Sequence, residues 1–224
     1  IRMFGEGDQQ VRLEFRMFAP EKSFWLLVSG KPLESTPIGV VQIASRFDPD
    51  DKDIGELALR GKLDETTPAL MFMASFETRA AQEAAAEARR KDHEGYTRAA
   101  DSFDPEREAQ VNALEIRIKG TPPIILKIGS MHAPMDAMRA CLDDLLGSWG
   151  VDAKVQKSLT RPPVPESSPA YWLKSEDYPA GMLEQGISDV VNFRVTVDAT
   201  GMPTACNVLT MESRPEFIKA TCDG

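Results

Sequence analysis

Val11, Leu13, Phe15 and Met17 alternate with Arg12, Glu14 and Arg16, and much later Leu114, Ile116 and Ile118 alternate with Glu115, Arg117 and Lys119. Successive side chains of a strand point to opposite faces, so a period of two marks a strand with one face buried and one wet. Further apolar runs at Phe24–Val28, Ile38–Ala44, Glu56–Arg60, Leu70–Phe76 and Ile124–Ile128 are bounded by Gly, Pro or Asp-rich breaks that suit turns. The first 130 residues therefore read as an antiparallel sheet.

Two segments depart from this period. Thr78–Ala100 is rich in Ala, Glu and Arg, lacks Pro and sets Glu87 four residues before Lys91, which predicts an exposed helix breaking near Gly95. From Pro134 onward, Met135, Met138, Cys141, Leu142, Leu145, Leu146 and Trp149 recur at helical spacing, with Asp136, Arg139, Asp143 and Asp144 opposite and Gly147 and Gly150 at the end. This amphipathic helix is expected to cover one face of the sheet. The fold class is then α+β, with a β-rich domain over residues 1–159. Pro162, Pro163, Pro165 and Pro169, mixed with Ser167 and Ser168, predict an extended linker over 160–175 and a second domain over 176–224.

Composition narrows the function classes. With 42% apolar and 27% charged residues the chain can pack a core. Its net charge of -9 is carried by scattered carboxylates without a Lys/Arg stripe, so neither nucleic acid nor an anionic membrane surface is the expected partner. No apolar run approaches the roughly 20 residues of a membrane-spanning helix. His93 and His132 stand outside ligand-like motifs, and C-x-x-C is absent. The group Asp48, Asp50, Asp51 and Asp53 fails calcium-loop spacing, because the fifth and twelfth positions would be Lys52 and Leu59. Asp143 and Asp144 are adjacent on a helix and diverge by about 100°, so they do not share a proton. Gly129-Ser130 before a helix is a weak anion signal. No catalytic residue, cofactor or metal is expected. Cys141, on the apolar stripe, is expected to be a packed thiol. Three cysteines, Cys141, Cys206 and Cys222, permit one disulfide and one free thiol, and spacing alone does not choose the pair.

The C-terminal stretch is read as a short helix after Pro179 ending near Gly186, and a strand carrying Val191, Phe193, Val195 and Val197. A turn over Asp198–Gly201, a second strand from about Pro203 to Met211 and a helix opened by Pro215 follow. Tyr178, Pro179, Gly186, Val191, Val195, Val197, Asp198 and Gly201 in this order resemble the TonB C-terminal domain, over residues 178–224 only. Asp189 replaces a usual Gly before the first strand, and Glu212-Ser213-Arg214-Pro215 replaces a Ser-Ser-Gly turn. Some members of the family carry a Cys in the second strand and another in the following helix; the resemblance thus implies a Cys206–Cys222 disulfide and an oxidising compartment such as the periplasm.

What the resemblance implies is a partial TonB-like α/β domain that binds a protein partner in the cell envelope, such as a TonB-dependent outer-membrane receptor, by pairing a sheet edge with an extended segment. Energy coupling in the family needs an inner-membrane anchor and a long Pro-rich spacer; this stretch shows no anchor and a short spacer, so binding is the first expectation and coupling to transport the second. Two alternatives stand beside it: an envelope assembly module whose β-rich domain performs the recognition, and an enzyme or inhibitor with a cleft in that domain.

Overall fold

A computed structural model describes residues 1–18, 23–49, 53–91, 104–159, 163–168, 171–209 and 213–223. Two compact units emerge, Ile1–Leu145 and Leu146–Gly224. The division lies inside a helix, and the Pro-rich stretch at 160–175 belongs to the second unit.

In the first unit the alternating segments become β1 (Arg2–Phe4), β2 (Val11–Arg16), β3 (Ser23–Ser29), β4 (Gly39–Asp48), β5 (Ile54–Lys62), β6 (Pro68–Ser75), β7 (Ala113–Ile118) and β8 (Ile124–Leu126). They form one antiparallel sheet in the order β1-β2-β3-β6-β5-β4-β7-β8. The sheet curls into a nearly closed barrel. Its two edge strands are β1 and β8, and near the seam the Arg2 guanidinium donates to the Ile128 carbonyl at 2.8 Å.

One face of each strand supplies the core. Leu13, Phe24, Leu26, Val28, Ile43, Phe47, Ala58, Leu70, Phe72, Leu114, Ile116 and Leu126 are all buried and belong to one cluster. Each large aliphatic or aromatic side chain so buried contributes about 1.5–3 kcal/mol. Phe15, Phe24, Phe47 and Phe76 meet at one end, with Phe24–Phe76 and Phe47–Phe76 centroids 4.8 Å apart. Arg60 also lies on the inward-facing side of β5; its Nε and Nη2 donate to the Leu33 carbonyl at 3.2 and 3.1 Å, so a buried cation is held by a turn. Gly30 has φ +147°, and a Cβ there would stand 2.3 Å from the Gln10 carbonyl oxygen. Only glycine permits that approach.

Helices join this barrel locally. The Ala/Glu-rich run forms α1 (Arg79–Lys91), largely exposed; its expected break near Gly95 lies outside the described residues. α2 (Pro105–Gln110) was not foreseen, although Asp104 is its cap, accepting from the Arg107 N–H at 3.0 Å, and Pro105 sits in its first turn. α3 (His132–Ser148) matches the amphipathic segment and ends at Gly150 in a Schellman motif, in which Val151 N–H donates to Leu146 and Gly150 N–H to Gly147, both at 3.0 Å.

Two expectations for α3 need correction. It does not lie across a sheet face: Met135, with Met131 just before the helix, enters the barrel core from its first turn. Cys141 is exposed. At about 100° per residue it lies about 120° round the helix from Met135, beyond the buried line of Met135, Leu142 and Leu146.

In the second unit, α4 (Ala153–Ser158), also unforeseen, is capped by Asp152, which accepts from Lys154 and Val155 N–H groups at 2.7 and 3.3 Å. Then come α5 (Ala180–Glu184), β9 (Phe193–Val197), β10 (Pro203–Val208) and α6 (Pro215–Asp223). β9 and β10 form a separate two-stranded antiparallel sheet.

Candidate functional site

Of the residues on which the resemblance drawn from the sequence rests, Val195 and Val197 lie on β9, Asp198 and Gly201 in the turn after it, and Tyr178, Pro179 and Gly186 around α5. Pro179 opens α5, and Gly186 closes it at φ +63°, with Ile187 N–H donating to Met182 at 2.9 Å and Gly186 N–H to Leu183 at 3.1 Å. That αL position is one a side chain would strain. The Tyr178 hydroxyl donates to the Ile187 carbonyl at 2.7 Å, and its ring packs edge-on against buried Phe217 of α6 at 5.4 Å. Tyr178 thereby ties the chain just before α5 to α6.

The hairpin turn follows its residues closely. One Asp198 carboxylate oxygen accepts from the Thr200 N–H at 2.8 Å, the Thr200 hydroxyl at 2.6 Å and the Met202 N–H at 3.1 Å, which holds its carboxyl below the usual range. Gly201, at φ +87°, completes the turn. The strand is shorter than expected: Val191 precedes it, and Val195 is exposed, while Phe193 and Val197 are half-buried. A two-stranded sheet covers too little area to bury a whole face.

Cys206 on β10 and Cys222 on α6 form a disulfide with Cα atoms 5.7 Å apart. It fastens the helix to the hairpin, and such bonds persist in oxidising compartments. Few of this unit's described side chains are buried, so a covalent tie stabilises what a small core cannot.

Asp189 stands where the resemblance drawn from the sequence expects a glycine. No residue other than glycine has positive φ among the described residues, so Asp189 does not adopt a left-handed conformation. Instead its carboxylate accepts from the Arg214 N–H at 2.8 Å and the Val190 N–H at 2.7 Å, and these bonds hold its carboxyl below the ordinary range. Ser213 donates to the Val190 carbonyl at 3.1 Å. The two departures, at 189 and 213–214, bind each other and join the chain before β9 to the start of α6.

In the first unit the structure assembles a charged group that sequence reading missed. Glu108 on α2 is 2% exposed and receives both Nη1 and Nη2 of Arg139 on α3, at 2.7 and 3.0 Å. Arg139 also pairs with Asp136, and His132 approaches Glu108 at 3.9 Å and Asp136 at 3.4 Å. Arg139, read as part of a solvated face, is thus the partner of a buried carboxylate. Asp104-Pro105 marks the cap of α2, but nothing local in the sequence shows that Glu108 meets Arg139.

The other acidic candidates separate. Asp50 and Asp51 lie outside the described residues, as does His93. Asp53 pairs with Arg117, and Arg117 with Glu115. Comparison with protein-family models, with curated proteins and with solved structures finds no match to this chain.

Proposed function

We propose that the second unit is a TonB-like binding module of the cell envelope, working in the periplasm on a protein partner, with a TonB-dependent outer-membrane receptor as the leading candidate. The observation that carries the reading is the Cys206–Cys222 tie between β10 and α6 beside a hairpin whose two strands, among the described residues, pair only with each other. Unpaired strand edges are templates for an added strand, and main-chain hydrogen bonds then supply affinity. Energy coupling to transport is the further step of the same proposal.

The test is capture from a detergent extract of outer membranes by the immobilised, oxidised chain. Recovery of a TonB-dependent receptor, lost after reduction of the disulfide, supports the reading. Recovery of none removes it. A second reading, recognition by the barrel unit without transduction, is favoured by the exposed apolar residues Val40, Leu57 and Leu59 on the outer face of β4 and β5.

A further inference from the structure

The outer face of the sheet is charged at its flanks and uncharged between them. On β2 the outward positions hold the ion pairs of Glu14 with Arg12 and Arg16, and on β7 those of Glu115 with Arg46 and Arg117. The positions of β3, β5 and β6 that alternate with the core line carry no charge, and neither do those of β4 as far as Ala44. In a chain with 27% charged residues, the solvated face of an antiparallel sheet is where charges belong. Four neighbouring strands without one mark a contact surface.

Large and small residues are sorted across this face. Val40, Leu59, Met71 and Leu27 are register partners in one row across β4, β5, β6 and β3. In the next row Trp25 stands opposite Met73, and Leu57 opposite Gln42. Val40 is 72% exposed and Leu57 71%, and Leu59 and Met73 are exposed as well. The rows on either side are small: Gly61 faces Ala69, and Gly55 faces Ala44. An apolar band therefore rises across four strands between low borders.

We infer that this band is the centre of a two-fold interface between two copies of the chain, packed sheet face to sheet face. At about 4.8 Å between strands and 3.4 Å per residue, four strands by seven residues present about 19 by 24 Å, and the flanking strands bring the face to about 700 Å². That approaches the roughly 800 Å² per partner of a stable dimer. A single helix, about 10 Å wide, would leave more than half of the face uncovered. Charge favours the same occupant. Copies of net charge -9 repel, and the uncharged band is where they meet without setting like charges together, with the ion-paired rows of β2 and β7 as the polar rim. The face is the one favoured in the second reading above, on which this assignment rests; its occupant is another copy of the chain.

The test is sedimentation equilibrium of the intact, oxidised chain. Interfaces of this size run from micromolar to tighter, so a dimer is expected at about 50 µM. The two-fold repeats any substitution, so Leu57→Lys sets two uncompensated ammonium groups in the interface and is expected to raise the dimer Kd at least about a hundredfold. Leu57 is exposed, so the variant keeps its fold, which an unchanged Tm checks. Ile125→Lys, on exposed β8 surface away from the band, is expected to leave the dimer as it is. Hydroxyl-radical oxidation of Met73 is expected to slow as the chain is concentrated. A dimer that Leu57→Lys does not weaken overturns the inference, as does one lost in Cys141→Ser, which is a cross-link through the exposed thiol. A monomer at every concentration up to about 200 µM also overturns it; a different protein captured from the extract by the native chain and not by Leu57→Lys then keeps the second reading without the dimer.

Discussion

Replacing Arg139 by methionine tests the charged group at the foot of α3. The substitution keeps most of the aliphatic stem and removes the guanidinium, leaving Glu108, 2% exposed, without the bidentate partner at 2.7 and 3.0 Å. Removing one member of a buried ion pair costs about 3–5 kcal/mol, because the remaining charge has neither water nor counter-charge. A factor of ten is about 1.4 kcal/mol, so opening of the barrel unit should become roughly two to four orders of magnitude more frequent. Since the chain has two units, the clean readout is amide exchange of β7, residues Leu114–Ile118, whose opening reports on the barrel alone. The paired variant Glu108→Leu/Arg139→Met should recover to within about 1 kcal/mol, since a matched apolar replacement carries no orphaned charge. A loss below about 0.5 kcal/mol for Arg139→Met refutes the reasoning, for surface pairs behave that way.

Three further outcomes are expected. Thiol titration of the denatured, unreduced chain should find one thiol, Cys141, and three after reduction; replacing Cys206 and Cys222 by serine should cost the second unit about 3 kcal/mol in urea titration, the value for a loop of about this length. Asp189 and Asp198 are held below the ordinary carboxylate value of 3.8, so their contribution is complete above that pH and fades as pH falls through their folded values. The second unit should lose stability below about pH 4 in amide exchange, and less steeply in Asp189→Asn. Gly30→Ala should destabilise the barrel by at least about 1–2 kcal/mol, read as a lower Tm, because of the clash with the Gln10 carbonyl; an unchanged Tm contradicts the close approach.

The strands were legible because each buries one face, and burial repeats at the period of the pleat. The short elements were not: β1, with three residues, and α2 and α4, with six each, are too brief to display a period, although their caps at Asp104 and Asp152 are in the sequence. Cys141 and Arg139 were misplaced because a helical stripe shows which residues share a face, but its width depends on what packs against it. Asp189 stands where the resemblance expects glycine; its bond to Arg214, 25 residues later, could not be anticipated from local conformation.

Alternation and turn residues by themselves determined that the first part of this chain is an antiparallel sheet with one buried face, and spacing placed the hairpin at Asp198–Gly201. Those are local matters, set by backbone geometry and by the separation of apolar from polar side chains. Curling of the sheet into a barrel and burial of Glu108 against Arg139 were decided only in three dimensions. Each depends on which strand lies beside which, and strands far apart in the chain meet for reasons that no window of sequence contains.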